Sequence, residues 1–488
     1  MNMKPFVIGV LASGLAAAGL AAELFVGAAE VSITPDRPIS LAGQFHQRIS
    51  KKVESPCMAN VLALEAREAG KPSGQALLVA LDVASIPVEV QCELRARLAS
   101  RLADFDTNML FLAATHTHTG PTLNQERFDD YGTAMQPREY VPFMLERLTE
   151  AAVKAWEGRK PGAVAWGLGH AVVGHNRRVV YADGTAQMYG KTDRSDFHGL
   201  EGWEDHAVDV LCFTDSEKRL QATAVAVPCP SQTVEGLYEV SADYWHHVRE
   251  SLKAKYGEGL VVLGLCGPAG DQVPRAMLRG AAEARMERLR KLSRKQELAR
   301  RIVAAFDETW EVVRADLRTD VPFAHRVERF QVPGRKLTDT EYEEAKKGYA
   351  EFAKRDEKEP GVFSRKRWYK ATLDRYEAQQ KSVPVNNLEI HVLRVGDLAL
   401  ATNPFELFVD YAMRIQGQSP AGQTMLVQLA SPADERHSYL PSERAVKGGG
   451  YSAVPQSTPV GPEGGQVLVG RTLAVIKALF EPEKGAAP

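Results

Sequence analysis

The sequence predicts an α/β fold, and the first part of the chain carries the pattern that indicates it. Apolar runs at residues 25–33, 60–64 and 76–81 have the length and composition of strands. Residues 89–102 have the apolar spacing of a helix, and the next apolar run begins at Met109. A strand, a helix and a further strand in succession are typical of an α/β sheet.

The later elements continue this alternation. We predict an amphipathic helix at 141–156 and a long functional loop at 167–202, which is rich in His, Asn, Arg, Asp and Gly. Charged helices at 279–317 and 338–381 form a predicted helical insertion spanning 279–382. The remaining predicted elements are strands at 207–213, 221–227, 259–265, 387–395, 398–402 and 424–429, and helices at 406–416 and 466–480. No linker divides residues 23–488, so we expect one domain.

The charge balance excludes a protein whose overall charge attracts nucleic acid, and the cysteine content excludes a disulfide scaffold. With 60 basic and 62 acidic residues, the chain has no overall field that would attract nucleic acid. The cysteines are too few and too scattered for a disulfide scaffold, and their odd number leaves at least one thiol unpaired within the chain. They are Cys57, Cys92, Cys212, Cys229 and Cys266.

The first 22 residues have the pattern of a secretory signal peptide. Lys4 precedes an apolar stretch at 6–20, and two small residues come before Glu23. The stretch is short for a retained membrane anchor, and no later segment is long and apolar enough to cross a bilayer. We therefore predict cleavage after residue 22 and a mature protein without a transmembrane anchor, located in the periplasm or outside the cell.

Two histidines at spacing i, i+2 follow the apolar run that begins at Met109. Because side chains alternate across a strand, His116 and His118 share one face. They precede a Gly-Pro turn at the C-terminal end of a sheet strand, where imidazoles are well placed to bind or serve a metal. The alternative is a pair of histidines satisfied by hydrogen bonds, because coordination needs partners from elsewhere in the chain.

Five short segments in a particular order give the chain a family resemblance. They are 115–121 (THTHTGP), 174–178 (GHNRR), 229–231 (CPS), 270–274 (GDQVP) and 403–406 (NPFE), followed by Tyr439 and Tyr451. Together with the opening 31–35 (VSITP) and Gly43, they resemble the neutral/alkaline ceramidases, zinc amidases that hydrolyse the N-acyl bond of ceramide to sphingosine and a fatty acid. The resemblance runs from Gly27 to Ser452, nearly the whole predicted mature chain.

The resemblance implies a metal site and a fold. The family's first zinc histidine falls on His116, its carboxylate ligand on Glu406 and its ligand tyrosine on Tyr439. One imidazole and one carboxylate suit Zn²⁺, and an open position for water would make a Lewis-acid hydrolase. The implied fold is a mixed-sheet catalytic domain of neutral ceramidase type, without the C-terminal immunoglobulin-like domain that the family usually carries.

The resemblance also assigns residues around the substrate. His118 matches a histidine that faces the scissile amide, and Arg177 matches an arginine that helps to hold the substrate. A second active-site tyrosine falls on Tyr451, which we assign to both catalysis and substrate binding. Gly43 completes the predicted substrate-binding set. Asp271 is included among the catalytic residues, with a tight turn fixed by its side chain as the alternative.

The chain departs from the family pattern at one metal ligand. Where the family has a second zinc histidine before a proline, this chain has Cys229. Thiolate is a good zinc ligand, so we include Cys229 in the predicted metal set. Two alternatives stay open: a buried cysteine in a site that has lost its metal, or recruitment of His175, Asp243 or His246 as the ligand.

A second departure concerns the nucleophile. The family's active-site serine position holds Val273, whose side chain can neither attack a carbonyl nor position a water. A serine-dependent reaction would therefore be lost. If metal-activated water is the nucleophile, His118 and Tyr451 could still handle protons and the oxyanion.

The sequence thus predicts a secreted, zinc-dependent hydrolase of neutral ceramidase type that cleaves an N-acyl bond by metal-activated water. Its partner would be a small-molecule N-acyl substrate, which includes the lipids of sphingolipid metabolism. Neither a membrane-docking helix nor a long lipid-gripping segment is evident, which weakens the case for a bilayer lipid. The alternatives are a hydrolytically inactive periplasmic binding protein, and a metal-dependent esterase or deacylase on a non-ceramide substrate.

Overall fold

The computed structural model describes residues 21–430 and 438–481. Residues 1–20 of the predicted signal peptide lie outside the described residues, and the first strand begins at Ala21. Within the described part of the chain, no helix has both the length and the apolar composition needed to cross a membrane.

The described residues contain the predicted strands together with several short strands that the sequence analysis did not identify. They are β1 (Ala21–Ser32), β2 (Lys52–Val53), β3 (Met58–Glu68), β4 (Lys71–Leu81), β5 (Leu110–Ala114), β6 (Lys160–Pro161), β7 (Ala163–His170), β8 (His175–Asn176), β9 (Arg178–Tyr181), β10 (Ala186–Met188), β11 (Phe197–Leu200), β12 (Ala207–Thr214), β13 (Leu220–Val227), β14 (Glu239–Val240), β15 (Val261–Cys266), β16 (Gln272–Val273), β17 (Asp320–Pro333), β18 (Val385–Val395), β19 (Leu398–Thr402), β20 (Glu406–Leu407), β21 (Gln423–Val427) and β22 (Tyr439–Leu440).

The helices agree with the predicted positions and add two that the sequence analysis missed. They are α1 (Val88–Ala99), α2 (Pro137–Glu157), α3 (Tyr244–Tyr256), α4 (Gly280–Arg290), α5 (Arg294–Val313), α6 (Asp339–Ala353), α7 (Val362–Gln379), α8 (Val409–Gln416), α9 (Glu443–Gly448) and α10 (Pro462–Phe480). The missed helices are α3 and the short α9. The N-cap of α3 is Asp243, whose carboxylate accepts a hydrogen bond from the Tyr244 backbone N–H at 2.7 Å.

Two mixed sheets form the centre of the molecule. The larger has the order β21-β19-β18-β17-β1-β3-β4-β5, with β6 also paired to β1. Its two parallel pairs, β4 with β5 and β19 with β21, lie at opposite ends of this order. The smaller sheet has the order β15-β13-β12-β7, in which β13 and β15 run parallel.

The sheets pack face to face, with helices on both outer faces. In β3, Leu62 and Leu64 pack into the core shared with Leu211 and Phe213 of the smaller sheet. The alternate residues of β3, including Val61, point instead toward the core that contains α1 and α2. Because both faces of β3 are buried, its sequence is a continuous apolar run rather than an alternating one. The other outer helices are α8 and α10 on the larger sheet and α3 and α5 on the smaller one.

Two sequence predictions need correction. The range 279–382 is not one helical insertion, because β17 lies between its two helical parts and pairs with β1 and β18 in the larger sheet. The predicted loop at 167–202 contains a small sheet of order β10-β9-β11. Both regions are rich in charged and polar residues, so their strands lack the apolar patterning that identified the others.

A buried polar network crosses the larger sheet at β17 and β18. The Glu389 carboxylate accepts hydrogen bonds from Arg95 at 2.7 Å and from Arg329 at 2.8 Å. His391 lies 3.1 Å from Glu389, and its other ring nitrogen lies 2.9 Å from Nε2 of His325. Burial, reinforced by His391, lowers the pKa of His325 to about 3. His325 therefore stays neutral in the folded protein at pH values where an exposed histidine is charged.

We expect this network to make the protein less stable as the pH falls from about 6.5 toward about 3. In that window the unfolded chain takes up a proton at His325 that the folded chain does not, so stability is lost at up to about 1.4 kcal/mol per pH unit for this group. Urea unfolding at a series of pH values measures the slope. His325→Leu should have a shallower slope, and an unchanged slope in this variant would contradict the assignment.

Candidate active site

The candidate site lies where the parallel strands β4 and β5 end. After β5, the Thr115 N–H donates to the carbonyl of Leu81, and its hydroxyl donates to Asp82 at 3.2 Å. Asp82 in turn forms a buried ion pair with Arg249, with N···O distances of 2.6 and 2.9 Å. The next residue, His116, has a left-handed backbone conformation with φ of 61°. The chain therefore turns sharply at His116, directly after a residue that is hydrogen-bonded to the buried Asp82–Arg249 ion pair.

His116 is oriented by a backbone carbonyl on one side and faces a carboxylate on the other. Its Nδ1 donates to the carbonyl oxygen of Ala84 at 2.6 Å, so in the neutral ring Nε2 carries the lone pair. Nε2 lies 3.3 Å from Oε2 of Glu406. A carbonyl on the outer nitrogen is the usual means by which proteins orient a metal-binding histidine.

Glu406 and Tyr439 are brought together by backbone pairing. They are directly opposed in the parallel pair β20 and β22, where the Glu406 N–H donates to the Ser438 carbonyl. Burial alone would raise the pKa of Glu406, but His116, Arg177 and Tyr439 together hold that pKa below its ordinary value. Burial and the nearby Glu406 raise the pKa of Tyr439 well above its usual range. The site thus combines a carboxylate with a neutral phenol.

Arg177 is buried next to Glu406 and Tyr439. Its Nη2 donates to the Tyr439 hydroxyl at 3.1 Å and to the carbonyl of Gly270 at 2.9 Å. The guanidinium also lies over the rings of Tyr439 and Tyr189, 5.5 and 5.9 Å from their centroids. Burial opposes its charge, but Tyr439, Tyr189 and Glu406 outweigh that effect and raise its pKa. Arg177 is therefore a permanent positive charge beside the Glu406 carboxylate.

Asp271 holds Arg177 in place instead of facing the reacting centre. Its carboxylate oxygens accept hydrogen bonds from the Asn176 side chain at 3.1 Å and from the Val409 N–H at 3.0 Å, and its carbonyl accepts from the Arg177 N–H at 2.9 Å. The side chain is buried, which raises its pKa to about 7. Its predicted catalytic role is corrected, because both oxygens are engaged in joining the Arg177 segment to the start of α8.

His118 lies beside His116, with their Nε2 atoms 3.3 Å apart. The Gln232 side-chain nitrogen lies 2.7 Å from the same Nε2 of His118, and Nδ1 lies 3.3 Å from Oε2 of Glu235. Burial, reinforced by His116, lowers the pKa of His118 to about 4. Gly43, with φ of 93°, packs against the ring so closely that a Cβ would lie 2.2 Å from its Cγ. The predicted substrate-binding Gly43 thus makes room for His118.

Tyr451 belongs to an aromatic cluster that the sequence analysis missed. Its ring lies 5.8 Å from Tyr439, 5.9 Å from Phe45 and 5.8 Å from Trp368, measured between centroids. Trp368 comes from α7, so the charged hairpin formed by α6 and α7 contributes a wall of the site. No sequence signal distinguished Trp368 or Phe45, because single aromatic residues in charged or polar segments have no pattern.

Cys229 does not take part in this arrangement. It is fully buried in the core between the smaller sheet and α3, and its carbonyl accepts the Tyr244 hydroxyl at 2.7 Å. Burial, together with Cys266 and Asp243, raises the pKa of its thiol well above the usual range. In the part of the chain that the structure describes, Cys229 does not meet His116 and Glu406 in a group of three potential metal ligands, so the geometry does not support the predicted role of Cys229 as a ligand. All five cysteines are free, and Cys229 is one of four that are buried.

The alternative replacements for the family's histidine are also engaged elsewhere. His175 lies 3.2 Å from Glu204, and Asp243 accepts hydrogen bonds from the loop at Thr233 and from the start of α3. His246 lies within α3 beside His247. Val273 is buried in β16, opposite His175 in β8.

The residues that remain fit a catalytic zinc site with three protein ligands. In residues 21–430 and 438–481, no three His, Cys, Asp or Glu side chains meet as a metal-binding group. The set at this site is one histidine, one glutamate and one tyrosine: His116, Glu406 and Tyr439. Nitrogen and oxygen donors suit zinc, and three protein ligands leave a position for water or substrate.

Comparison with known proteins rests on structure alone. No protein-family model matches the chain, and no curated protein matches its sequence. A solved structure described as "Ceramidase complexed with C2" matches 96% of this chain and 77% of its own, with 16% identity and a TM-score of 0.66. A neutral ceramidase from Pseudomonas aeruginosa matches 96% of this chain and 76% of its own, with 16% identity and a TM-score of 0.67. These matches confirm the predicted architecture: the chain has the mixed α/β fold of the neutral ceramidases.

Proposed function

We propose that this protein is a metal-dependent hydrolase that cleaves an N-acyl amide bond. The observation that carries the proposal is the meeting of His116, Glu406 and Tyr439, from three distant parts of the chain, beside His118 and Arg177. We propose zinc as the metal, held by the first three residues. When bound, zinc would polarise the acyl carbonyl and lower the pKa of water.

The protein's own residues have separate parts in this reaction. His118, beside His116, accepts the proton from the attacking water and returns it to the leaving nitrogen. Arg177 supplies a fixed positive charge that favours the negative charge developing on the acyl oxygen. Tyr451, within the aromatic cluster, orients the substrate and helps to exclude bulk water. Val273 leaves no serine hydroxyl at its position, so water is the proposed nucleophile.

The substrate is proposed as a small-molecule N-acyl compound, in a secreted or periplasmic setting. The similar solved structures are named as ceramidases, so ceramide is one candidate. Val273 favours a second candidate function, a protein that binds such compounds without cleaving them. An O-acyl substrate would use the same groups, because ester and amide hydrolysis pass through the same kind of oxyanion.

The test is hydrolysis by the purified protein together with its metal content. We expect one zinc per chain and release of acid from at least one member of a panel of ceramide, short N-acyl amides and matched O-acyl esters. A chelator should stop the reaction, and added zinc should restore it. Stoichiometric zinc without hydrolysis would support the binding protein, and the absence of both zinc and hydrolysis would contradict the proposal.

A further inference from the structure

The surroundings of His118 point to a neighbouring residue that positions it for proton transfer. Its inner nitrogen, Nε2, faces His116 and the Gln232 side chain, whereas Nδ1 faces outward to Glu235 at 3.3 Å. The Nδ1–H and the Glu235 carboxylate are within ion-pair distance but are not aligned as a hydrogen bond. In proteins without bound substrate, catalytic hydrogen bonds are often long or poorly aligned and tighten when substrate binds.

Glu235 is held in position by contacts on both sides of its loop. Asp243 accepts hydrogen bonds from the Thr233 hydroxyl at 2.6 Å and from the Val234 N–H at 3.0 Å, just before Glu235. Two residues after it, the Leu237 carbonyl accepts a hydrogen bond from Arg48 at 2.7 Å. The loop is therefore tied to α3 on one side and to a buried guanidinium on the other.

Arg48 couples this loop to His118 directly. Its Nη2 donates to the carbonyl oxygens of His118 and Ala42, each at 2.5 Å, while Nη1 donates to Leu237. The guanidinium is fully buried. One rigid side chain thus fixes the backbone of His118, the segment before Gly43 and the loop that carries Glu235. Arg48 therefore holds together the two backbone segments that carry the Glu235 carboxylate and the His118 imidazole.

We propose that Glu235 is the positioning residue for His118, and that this dyad supports proton transfer by His118 in a chain that has Val273 at the family's serine position. The inference rests on the proposed hydrolysis. A carboxylate on one nitrogen of an imidazole fixes its tautomer and stabilises the imidazolium that forms when the other nitrogen takes a proton.

The reaction balances as the addition of water across the C–N bond. The water oxygen bonds to the acyl carbon while His118 Nε2 takes one water proton, after the Gln232 side chain has rotated away from that nitrogen. The C–N bond then breaks, its electron pair stays on nitrogen, and His118 returns the proton to the leaving amine. The products are the carboxylic acid and the amine. Glu235 exchanges no proton in this sequence and keeps its negative charge beside Nδ1.

The test compares Glu235→Gln with Gln44→Ala. Gln44 donates to the same Glu235 oxygen at 3.3 Å, and no hydrogen bond joins it to His118, so it is a matched control for changes around the carboxylate. The probes are the p-nitroanilides and p-nitrophenyl esters of acetic and octanoic acid. Metal content and melting temperature of both variants show whether the fold and the site are intact.

We expect Glu235→Gln to lower kcat on the anilide at least about tenfold, with KM nearly unchanged. Acid–base catalysis typically accelerates a reaction about 10²–10⁴-fold, and the variant should lose part of that acceleration. The ester should be affected less, because its leaving group departs without a proton. Gln44→Ala should retain kcat on both probes. A purely structural role for Glu235 would lower both activities by the same factor, and that result would contradict the proposal.

Two outcomes separate this inference from the proposed function. Full anilide activity in Glu235→Gln, with an active wild-type protein, would overturn the dyad alone. A wild-type protein that hydrolyses none of the four probes, nor any member of the N-acyl panel, would overturn the proposed hydrolysis and the dyad with it.

Discussion

Replacing His116 by alanine is expected to abolish the proposed zinc binding and the proposed hydrolytic activity together. His116 supplies the nitrogen nearest to Glu406, and its orientation by the Ala84 carbonyl leaves that nitrogen free to bind. Loss of a residue that only orients a metal ligand typically weakens metal binding about 10–100-fold, so loss of the ligand itself should cost at least about 100-fold. Zinc competition titration and hydrolysis of the preferred substrate measure the two effects.

Cys229→Ser is the matched control for this experiment. The Cys229 thiol is buried in a hydrophobic core, so serine should lower the stability but leave the zinc affinity unchanged. Cobalt substitution gives a second measurement, because a cysteine ligand produces a thiolate-to-metal charge-transfer band in the near ultraviolet. We expect no such band in the wild-type protein. A band that disappears in Cys229→Ser would show that the ligand set proposed from the geometry is wrong.

Replacing Asp82 by asparagine is expected to cost about 3–5 kcal/mol of stability, the range observed when one partner of a buried ion pair is removed. Asp82 is fully buried and Arg249 nearly so. The Asp82 carboxylate also accepts hydrogen bonds from the Met58 N–H at 2.8 Å and from the Thr115 hydroxyl at 3.2 Å. Asparagine would leave the Arg249 charge buried without a counter-charge. Urea unfolding measures the loss.

Further variants test whether the loss of stability comes from the unpaired Arg249 charge or from the removal of any carboxylate. Glu93→Gln removes an exposed carboxylate that pairs with Arg97 within α1, and such helix pairs contribute at most about 0.5 kcal/mol. In the double variant Asp82→Asn with Arg249→Met, the combined loss should be smaller than the sum of the two single losses, because no unpaired charge remains. Additive losses would contradict a direct interaction between the two side chains.

The strands and helices with regular apolar patterns were predictable because burial itself produces those patterns. β3, β4 and β5 appear in the sequence as apolar runs, since the sheet is covered on both faces. β17 was not identified, because its exposed and half-buried positions carry Arg, His, Glu and Gln. The polar network around Glu389 explains some of these residues, but that network exists only once β17 and β18 are paired.

The site residues were predictable only in part. The order of the motifs identified His116, Glu406, Tyr439 and Arg177, and the structure brings these four together. The same resemblance placed Cys229 among the ligands and Asp271 among the catalytic groups, and the structure brings neither side chain to the group formed by His116 and Glu406. A motif gives a residue's place along the chain, whereas the burial and direction of its side chain depend on the packing of other segments.

The sequence by itself determined the alternation of strands and helices, the ceramidase-type fold and the positions of the histidine, glutamate and tyrosine motifs. These properties depend on local composition and on order along the chain. Only the tertiary structure decided that Cys229 belongs to the core, that Asp271 supports Arg177, and that Glu235 and Trp368 adjoin the site. Each of these depends on contacts between segments that are far apart in sequence. The packing of sheets and helices sets the distances and the burial in such contacts, so the local sequence pattern does not reveal them.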